Sequence, residues 1–340
     1  MANASPAASE AVSMLETAFY CIADRRHFLG AVALLNSLRV VGHDEPFFLV
    51  DAGMTPDQRK ILSPHVTLID APNAVHPVFL KPHAPIEHPA QVAILLDADI
   101  IVTRPLTGLI DTARRGRLVG FLDNPPHDDR FFPEWSEALG LGPLRRQPYL
   151  NAGYVFVPYR LTESFLRAWN EAQMRVDVER TWFRNGKLSD PLYFADMDAL
   201  NAVAASSLSR EDIVFLEHRL APAAPFPGLK LVDEQTLHCA YADGTQPYML
   251  HHILGKPWLT ATRTTVYSVL MTRLLLGTDV TVRLEPSEVP LRLREGRLAA
   301  FDRRRADIQA AVRSNARRQL GRFGIRTRLA AWRDRRAVRR

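Results

Sequence analysis

Asp97 and Asp99 interrupt an otherwise apolar run, "AILLDADIIV" over residues 93–102. Carboxylates in such a setting need a partner, because an unpaired buried charge is very costly. Residues at i and i+2 of an extended chain point to one side, so Asp97 and Asp99 offer two hard oxygen donors together. Two such donors, completed by phosphate oxygens, suit Mg²⁺ or Mn²⁺. The same residues also suit a plain strand-end turn in which the aspartates cap backbone groups. Other groups able to do chemistry are sparse. Only five of the 43 basic residues are lysines: Lys60, Lys81, Lys187, Lys230 and Lys256. Lys81 lies 16 residues before Asp97, and Lys256 lies in "HHILGKPW" (251–258), which opens on two adjacent histidines.

The elements that must position these groups follow from the apolar pattern. "TAFYCIA" (17–23), "PFFLVDA", "VTLIDA" and "QVAILLDADIIV" read as four buried strands. Amphipathic "FLGAVALLNSLRVV" (28–41) and short "TPDQRKIL", with Thr55 as cap and Pro56 at its first position, read as helices. Strands alternating with helices at this pace predict an α/β fold with a mostly parallel, Rossmann-like central sheet flanked by helices. In such sheets ligands sit beyond the carboxyl ends of the strands, where Asp97 and Asp99 fall. Further strands are expected at "RLVGFLD" (117–123) and "YLNAGYVFVPY" (149–159). Helices are expected at "PEWSEAL", from "LTESFLRAW", over "DPLYFADMDALNAVAAS" and at "TVYSVLMTRLLLG", and "PYMLHHILGKPW" (247–258) reads as strand then loop.

Composition excludes several classes. With 340 residues, 47% hydrophobic and 24% charged, the chain fits an ordinary globular protein with a sizeable core. Cys21 and Cys239 read as core thiols; the single His238–Cys239 pair has no second pair at zinc-ligand spacing. No run of about 18 apolar residues predicts a membrane span. "MANASPAASEAVSML" lacks the basic start and apolar run of a signal peptide, and the first 15 residues read as a disordered leader. The haloacid-dehalogenase phosphatases also place Asp-x-Asp after a strand, but Ile101 stands where they need Thr or Val, with no matching acidic pair downstream.

Three further segments, "YLNAGYVF" (149–156), "ADMDALN" (195–201) and "HHILGKPW", follow "LLDADIIV" in the order and spacing of a known family. Together they resemble glycosyltransferase family 8, which includes glycogenin and bacterial lipopolysaccharide galactosyl- and glucosyltransferases. The resemblance spans about residues 17–260. It implies a GT-A fold, a UDP-sugar donor, Mn²⁺ (with Mg²⁺ as the alternative) and retention of anomeric configuration.

Carried over residue by residue, the resemblance puts the metal on Asp97, Asp99 and a histidine of the His-x-x-Gly pattern. His252 is the expected ligand and His251 the rival, because Lys256-Pro257-Trp258 follows Gly255 two residues earlier than in the family. The nucleotide-sugar is expected against Ala23, Asp24, His27, Lys81, Ala98, Gly255 and Lys256, with His27 where the family has an aromatic residue and Lys256 on the diphosphate. Asp123, Asn151, Ala152 and Gly153 match positions around the donor sugar, and Asp196 and Asp198 match the acidic pair of an Asp-Gln-Asp segment. Met197 replaces its Gln. Double displacement through residue 197 therefore gives way to a front-face route, with Asp196 available to stabilise an oxocarbenium-like transition state.

The C-terminal region differs in kind. Residues 301–340 carry fourteen Arg and three Asp, a net of +11, against +6 for the whole chain. The expected organisation is a leader over 1–15, a GT-A domain over 16–262 and a helical C-terminal extension over 263–340 ending in the basic tail. Within that tail Ile308, Val312, Leu320, Phe323, Ile325, Leu329 and Trp332 alternate with arginines, a pattern suited to an anionic membrane surface. Nothing in it reads as a nucleic-acid recognition fold. The expected protein is a cytoplasmic hexosyltransferase, peripheral on the inner face of the cytoplasmic membrane. It would act on a saccharide or lipid-linked saccharide acceptor in lipopolysaccharide or other cell-surface glycan synthesis. The alternatives are a catalytically silent sugar-nucleotide or glycan-binding module and a glycogenin-like self-glycosylating primer.

Overall fold

A computed structural model describes residues 14–322, apart from 73–74, 126, 128, 185, 254 and 261. Most of the expected leader and the tail beyond residue 322, including Phe323, Ile325, Leu329 and Trp332, lie outside the described residues. In chain order the strands are β1 (Leu15–Ala23), β2 (Phe47–Asp51), β3 (Thr67–Asp70), β4 (Ala90–Leu96), β5 (Ile100–Val102), β6 (Leu118–Leu122), β7 (Leu150–Pro158), β8 (Ile213–Leu216), β9 (Lys230–Asp233), β10 (His238–Ala240) and β11 (Met249–His251). The helices are α1 (Phe28–Val40), α2 (Pro56–Leu62), α3 (His83–Glu87), α4 (Thr107–Arg114), α5 (Trp135–Leu139), α6 (Ala168–Gln173), α7 (Asp196–Ser207), α8 (Val266–Leu276) and α9 (Arg297–Arg322).

Seven strands form the main sheet in the order β3-β2-β1-β4-β7-β6-β8. It is mostly parallel, as expected; β7 alone among these seven runs against its neighbours β4 and β6. Along β1 the pleat sends Phe19, Cys21 and Ala23 into one apolar cluster and Ala18 and Tyr20 into the other, so both faces of the sheet are covered. Cys21 and Cys239 are free, buried thiols. Thr55 and Gln58 form a reciprocal capping box at the start of α2, with Pro56 at its first position.

Two elements differ from the sequence expectation. "QVAILLDADIIV" is not one strand. β4 stops at Leu96, the chain turns through Asp97–Asp99, and β5 leaves to pair antiparallel with β11 in a separate two-stranded sheet. A strand interior cannot accommodate the two carboxylates, so the ladder ends where they begin: the Asp97 amide donates to the Gly153 carbonyl (2.8 Å), and the Ile100 amide closes the turn on the Asp97 carbonyl (3.2 Å). The helix expected from Asp190 begins only at Asp196. The Asp190 carboxylate caps the Leu192 amide (3.0 Å) in a turn, and Ala195 adopts a left-handed backbone with φ of 52°.

Residues 266–293 pack into the same core as α1. Buried Asn36 on α1 donates to the carbonyls of Leu274 and Val282 (2.7 Å each) and accepts from the Val282 amide (2.9 Å). On the next residue, Ser37 Oγ accepts from the Val102 amide (3.0 Å), which fixes β5 against α1. The first part of the C-terminal extension is thus a buttress behind the Asp97–Asp99 turn.

Candidate active site

The parallel register of β1 and β4, with Tyr20 opposite Leu95, brings their carboxyl ends side by side. Ala23 is buried at the end of β1. Asp24 follows it and accepts from the Arg26 and His27 amides (2.9 Å each) and from His27 Nδ1 (2.8 Å). Burial opposes the Asp24 charge, but the His27 side chain together with the His27 and Arg26 amides outweighs it and holds the carboxyl below its ordinary range. The His27 imidazole remains partly exposed at the head of α1.

At the end of β4 the Asp97–Asp99 turn meets β11. His251 Nε2 lies 3.1 Å from Asp99 Oδ1 and 3.7 Å from Asp97 Oδ2. Among the described residues, the one group of His, Cys, Asp and Glu that could hold a metal ion is Asp97, Asp99 and His251, whose ligand atoms lie within 4.8 Å of one another. Of the two histidines expected as third ligand, this group contains the rival His251 and not His252. His251 is the last residue of β11, opposite Ile100. His252 turns the other way: its ring packs edge-on to Tyr267 (5.0 Å between centroids) and Phe226 (6.0 Å), while its amide donates to the Asp99 carbonyl (3.0 Å).

Gly153 makes room for the histidine ring. A Cβ at that position would stand 2.5 Å from His251 Cε1 and 2.9 Å from Asn151 Oδ1, so glycine is needed for imidazole and carboxylates to converge. Gly30 does the same on the other side, where a Cβ would come 2.1 Å from the Ala98 carbonyl and 2.9 Å from the Trp258 ring. Ala98 is accordingly buried under α1, and Trp258 Nε1 donates to the Arg26 carbonyl (2.7 Å).

Lys81 ties the turn to α7. Its ammonium contacts Asp97 Oδ1 (2.8 Å), Asp196 Oδ2 (2.9 Å) and the Ala152 carbonyl (3.0 Å). Burial opposes its charge, yet Asp196 and Asp97 outweigh burial and raise its pKa above the ordinary lysine range. Asp196 is itself pushed up by burial, which Lys81 only partly offsets and the Asp97 charge reinforces. Lys256 occupies the other carboxylate: Nζ is bonded to Asp99 Oδ2 and donates to the carbonyls of His252 and Ile253 (2.7 Å each). Gly255, at φ +62°, turns the short loop so that Lys256 reaches back. Burial works against the Asp99 charge, but His251 and Lys256 hold its carboxyl well below the usual range.

Asp123 and Asn151 are buried together, with Asn151 Nδ2 donating to Asp123 Oδ1 (2.7 Å) and Asn151 Oδ1 accepting from the Gly153 amide (2.8 Å). Asp198, expected to share a site with Asp196, is not brought to this cluster. Its side chain is 0% exposed and fully engaged: Arg130 grips it through Nε (2.7 Å) and Nη2 (3.1 Å), Tyr149 Oη donates at 2.7 Å, and the Phe194 amide donates at 2.7 Å. Burial raises its pKa despite Arg130. Arg130 also bonds the carbonyls of Leu188 (3.0 Å), Asp190 (2.6 Å) and Pro191 (3.3 Å). Asp198 and Arg130 therefore anchor the turns before α7, and sequence reading missed Arg130 because 68 residues separate it from its partner.

No protein-family model and no curated protein matches the sequence. Solved structures do. The galactosyltransferase LgtC, in complex with donor and acceptor sugar analogues, superposes with a TM-score of 0.50 at 14% identity over 80% of this chain and 98% of LgtC. An active-site Gln→Glu mutant of LgtC gives 0.51 at 15% identity over the same shares. The bifunctional glycosyltransferase WbbM gives 0.50 at 14% identity over 79% of this chain and 50% of WbbM. The chain has the fold of these glycosyltransferases, the GT-A fold. Within this GT-A fold the Asp-x-Asp turn lies at the end of β4, and Met197, one residue into α7, packs with the apolar cluster on its face of the sheet.

Proposed function

We propose that the protein is a metal-dependent retaining glycosyltransferase that moves a hexose, galactose or glucose, from a UDP-sugar to a saccharide acceptor. The observation that carries this reading is the convergence of Asp97, Asp99 and His251 at the carboxyl ends of β4 and β1. Two carboxylates and one imidazole, around a ring that Gly153 alone leaves room for, fit a divalent cation, and the imidazole favours Mn²⁺ over Mg²⁺. When bound, such a cation neutralises charge developing on the diphosphate leaving group.

In the reaction the bond from sugar C1 to the diphosphate oxygen breaks and a bond from C1 to the acceptor oxygen forms. The acceptor proton passes to the departing phosphate oxygen. In this reading Ala23, Asp24 and His27 take the nucleotide, and Lys256 and Gly255 face the diphosphate. Asp123 and Asn151, locked to each other, present fixed polar groups to the donor sugar. Asp196, held beside Asp97 by Lys81, stabilises positive charge at C1. Met197 has no carboxylate or amide to offer as a nucleophile, which favours the front-face route. Asp198 acts as a positioning residue for α7.

A panel of UDP-sugars assayed for UDP release with and without Mn²⁺ tests the reading. Release with one of the UDP-hexoses, dependent on metal and giving an α-linked product from an α-linked donor, is expected. Background release with every donor would leave a binding module instead.

The acceptor in this account is lipid-linked, as in lipopolysaccharide synthesis, and the protein is peripheral on the cytoplasmic face of the membrane. No described helix is long and apolar enough to cross a membrane. On α9, however, Leu298, Phe301, Ile308 and Val312 are exposed on a helix studded with arginines. An amphipathic basic helix of this kind suits an anionic lipid surface. Removing residues 313–340 and replacing the exposed Leu298, Phe301, Ile308 and Val312 by Gln is expected to release the protein from anionic vesicles with donor hydrolysis intact; equal co-sedimentation of this form and the natural chain would sink the membrane role. The cut spares Arg303 and Asp307, which bond the Arg294 carbonyl (2.7 Å) and the Thr264 amide (2.6 Å).

A further inference from the structure

Lys256 is engaged in a way that the proposed donor contact does not explain. An ammonium has three donors, and all three are spent within the chain, on Asp99 Oδ2 and on the carbonyls of His252 and Ile253. In this arrangement it has nothing left to offer a diphosphate. It also occupies the carboxylate that a divalent cation would use, and two cations on one carboxylate repel each other at short range. The cause lies in the sequence: Lys256 follows Gly255 directly, so the turn at Gly255 folds the lysine back onto the backbone carbonyls three and four residues before it and onto Asp99. Lys81 is placed differently, with its ammonium shared among Asp97, Asp196 and the Ala152 carbonyl on β7.

We propose that Lys256 is an exchangeable counter-ion. A divalent cation takes Asp99 by displacing the Lys256 ammonium, and the displaced ammonium is then captured by the diphosphate of the donor. Metal and nucleotide binding are thereby coupled through one side chain: metal alone must compete with Lys256, whereas metal with UDP gives the ammonium a new partner. This rests on the metal-site reading above.

The scarcity of lysine makes the exchange measurable. Lys60, Lys187 and Lys230 are exposed and serve as internal standards, while Lys81 and Lys256 are partly buried. Amine acylation of the full chain, read by mass spectrometry, is expected to show Lys256 slow without ligands, severalfold faster with Mn²⁺ alone, and slow again with Mn²⁺ plus UDP; Lys81 stays slow throughout. In parallel, Mn²⁺ binding is followed by the paramagnetic resonance of the free ion. Lys256→Met is expected to bind Mn²⁺ alone about tenfold more tightly than the natural chain and to lose most of the gain that UDP gives. Lys256→Arg, which keeps the charge, should bind Mn²⁺ alone no more tightly than the natural chain. Mn²⁺ binding with Lys256 acylation unchanged would overturn the exchange and leave the metal site standing. Absence of Mn²⁺ binding, with or without UDP, would overturn both.

Discussion

The site has two arms, each a lysine on a carboxylate, and they are built from different materials. In the first, Lys81 joins Asp97, in the turn directly after β4, to Asp196 in the first turn of α7 and to the Ala152 carbonyl on β7. In the second, Lys256 and His251 hold Asp99, and the lysine sits in a loop of a few residues beyond β11. Both arms satisfy the same physical demand, since a buried carboxylate needs a cation or hydrogen bonds. They differ in what holds the cation. The sheet-borne arm is backed by the packed core, so its charges are positioned before any ligand arrives. The loop-borne arm is held by Gly255 and by backbone carbonyls of its own loop, which is the sort of segment that opens at low cost.

Substitutions that separate the arms are expected to fall in a definite order. Arg130→Ala strikes the support of the sheet-borne arm by leaving Asp198 buried without its counter-charge, and is expected to cost about 3–5 kcal/mol in urea unfolding. Gly30→Ala strikes the seam between the arms, where the added Cβ meets the Ala98 carbonyl at 2.1 Å and the Trp258 ring at 2.9 Å; a loss of about 1–3 kcal/mol is expected, with weaker Mn²⁺ binding. Gly153→Ala pushes its Cβ onto the buried His251 ring at 2.5 Å and is expected to cost about 1–3 kcal/mol while weakening Mn²⁺ affinity about tenfold, the scale seen when the support of a metal ligand is disturbed. A change confined to stability would count against the placement of His251.

Asp212, outside both arms, sets the baseline. Ser209 and Arg160 hold its carboxyl down to about 2. Because the folded value is lowered, the stabilisation is complete above the unfolded value of about 4 and is lost as pH falls through about 2. Asp212→Asn should therefore differ from the natural chain at neutral pH and converge with it in acid, with Mn²⁺ binding unaffected at neutral pH.

Much of this arrangement is legible in the sequence because it is written in local patterns. Continuous apolar runs, buried on both faces of the sheet, give β1, β2 and β7, the Thr55–Gln58 box gives α2, and Asp97-Ala98-Asp99 announces itself as a break in an apolar run. The choice between His251 and His252 was not legible. Adjacent residues of a strand face opposite sides, so a one-residue shift exchanges them, and only the pairing of His251 with Ile100 settles which one meets the carboxylates. Asp198 reads like Asp196 in sequence, yet Tyr149 and Arg130, 49 and 68 residues away, consume it. Likewise, the retreat of Lys256 onto Asp99 depends on a loop conformation that spacing alone does not specify.

The most direct test of the account compares Mn²⁺ binding, in the presence of UDP, for His251→Ala and His252→Ala. The account predicts that His251→Ala loses binding while His252→Ala, if folded by circular dichroism, retains it. Binding that survives His251→Ala and disappears in a folded His252→Ala would contradict the site and the function built on it.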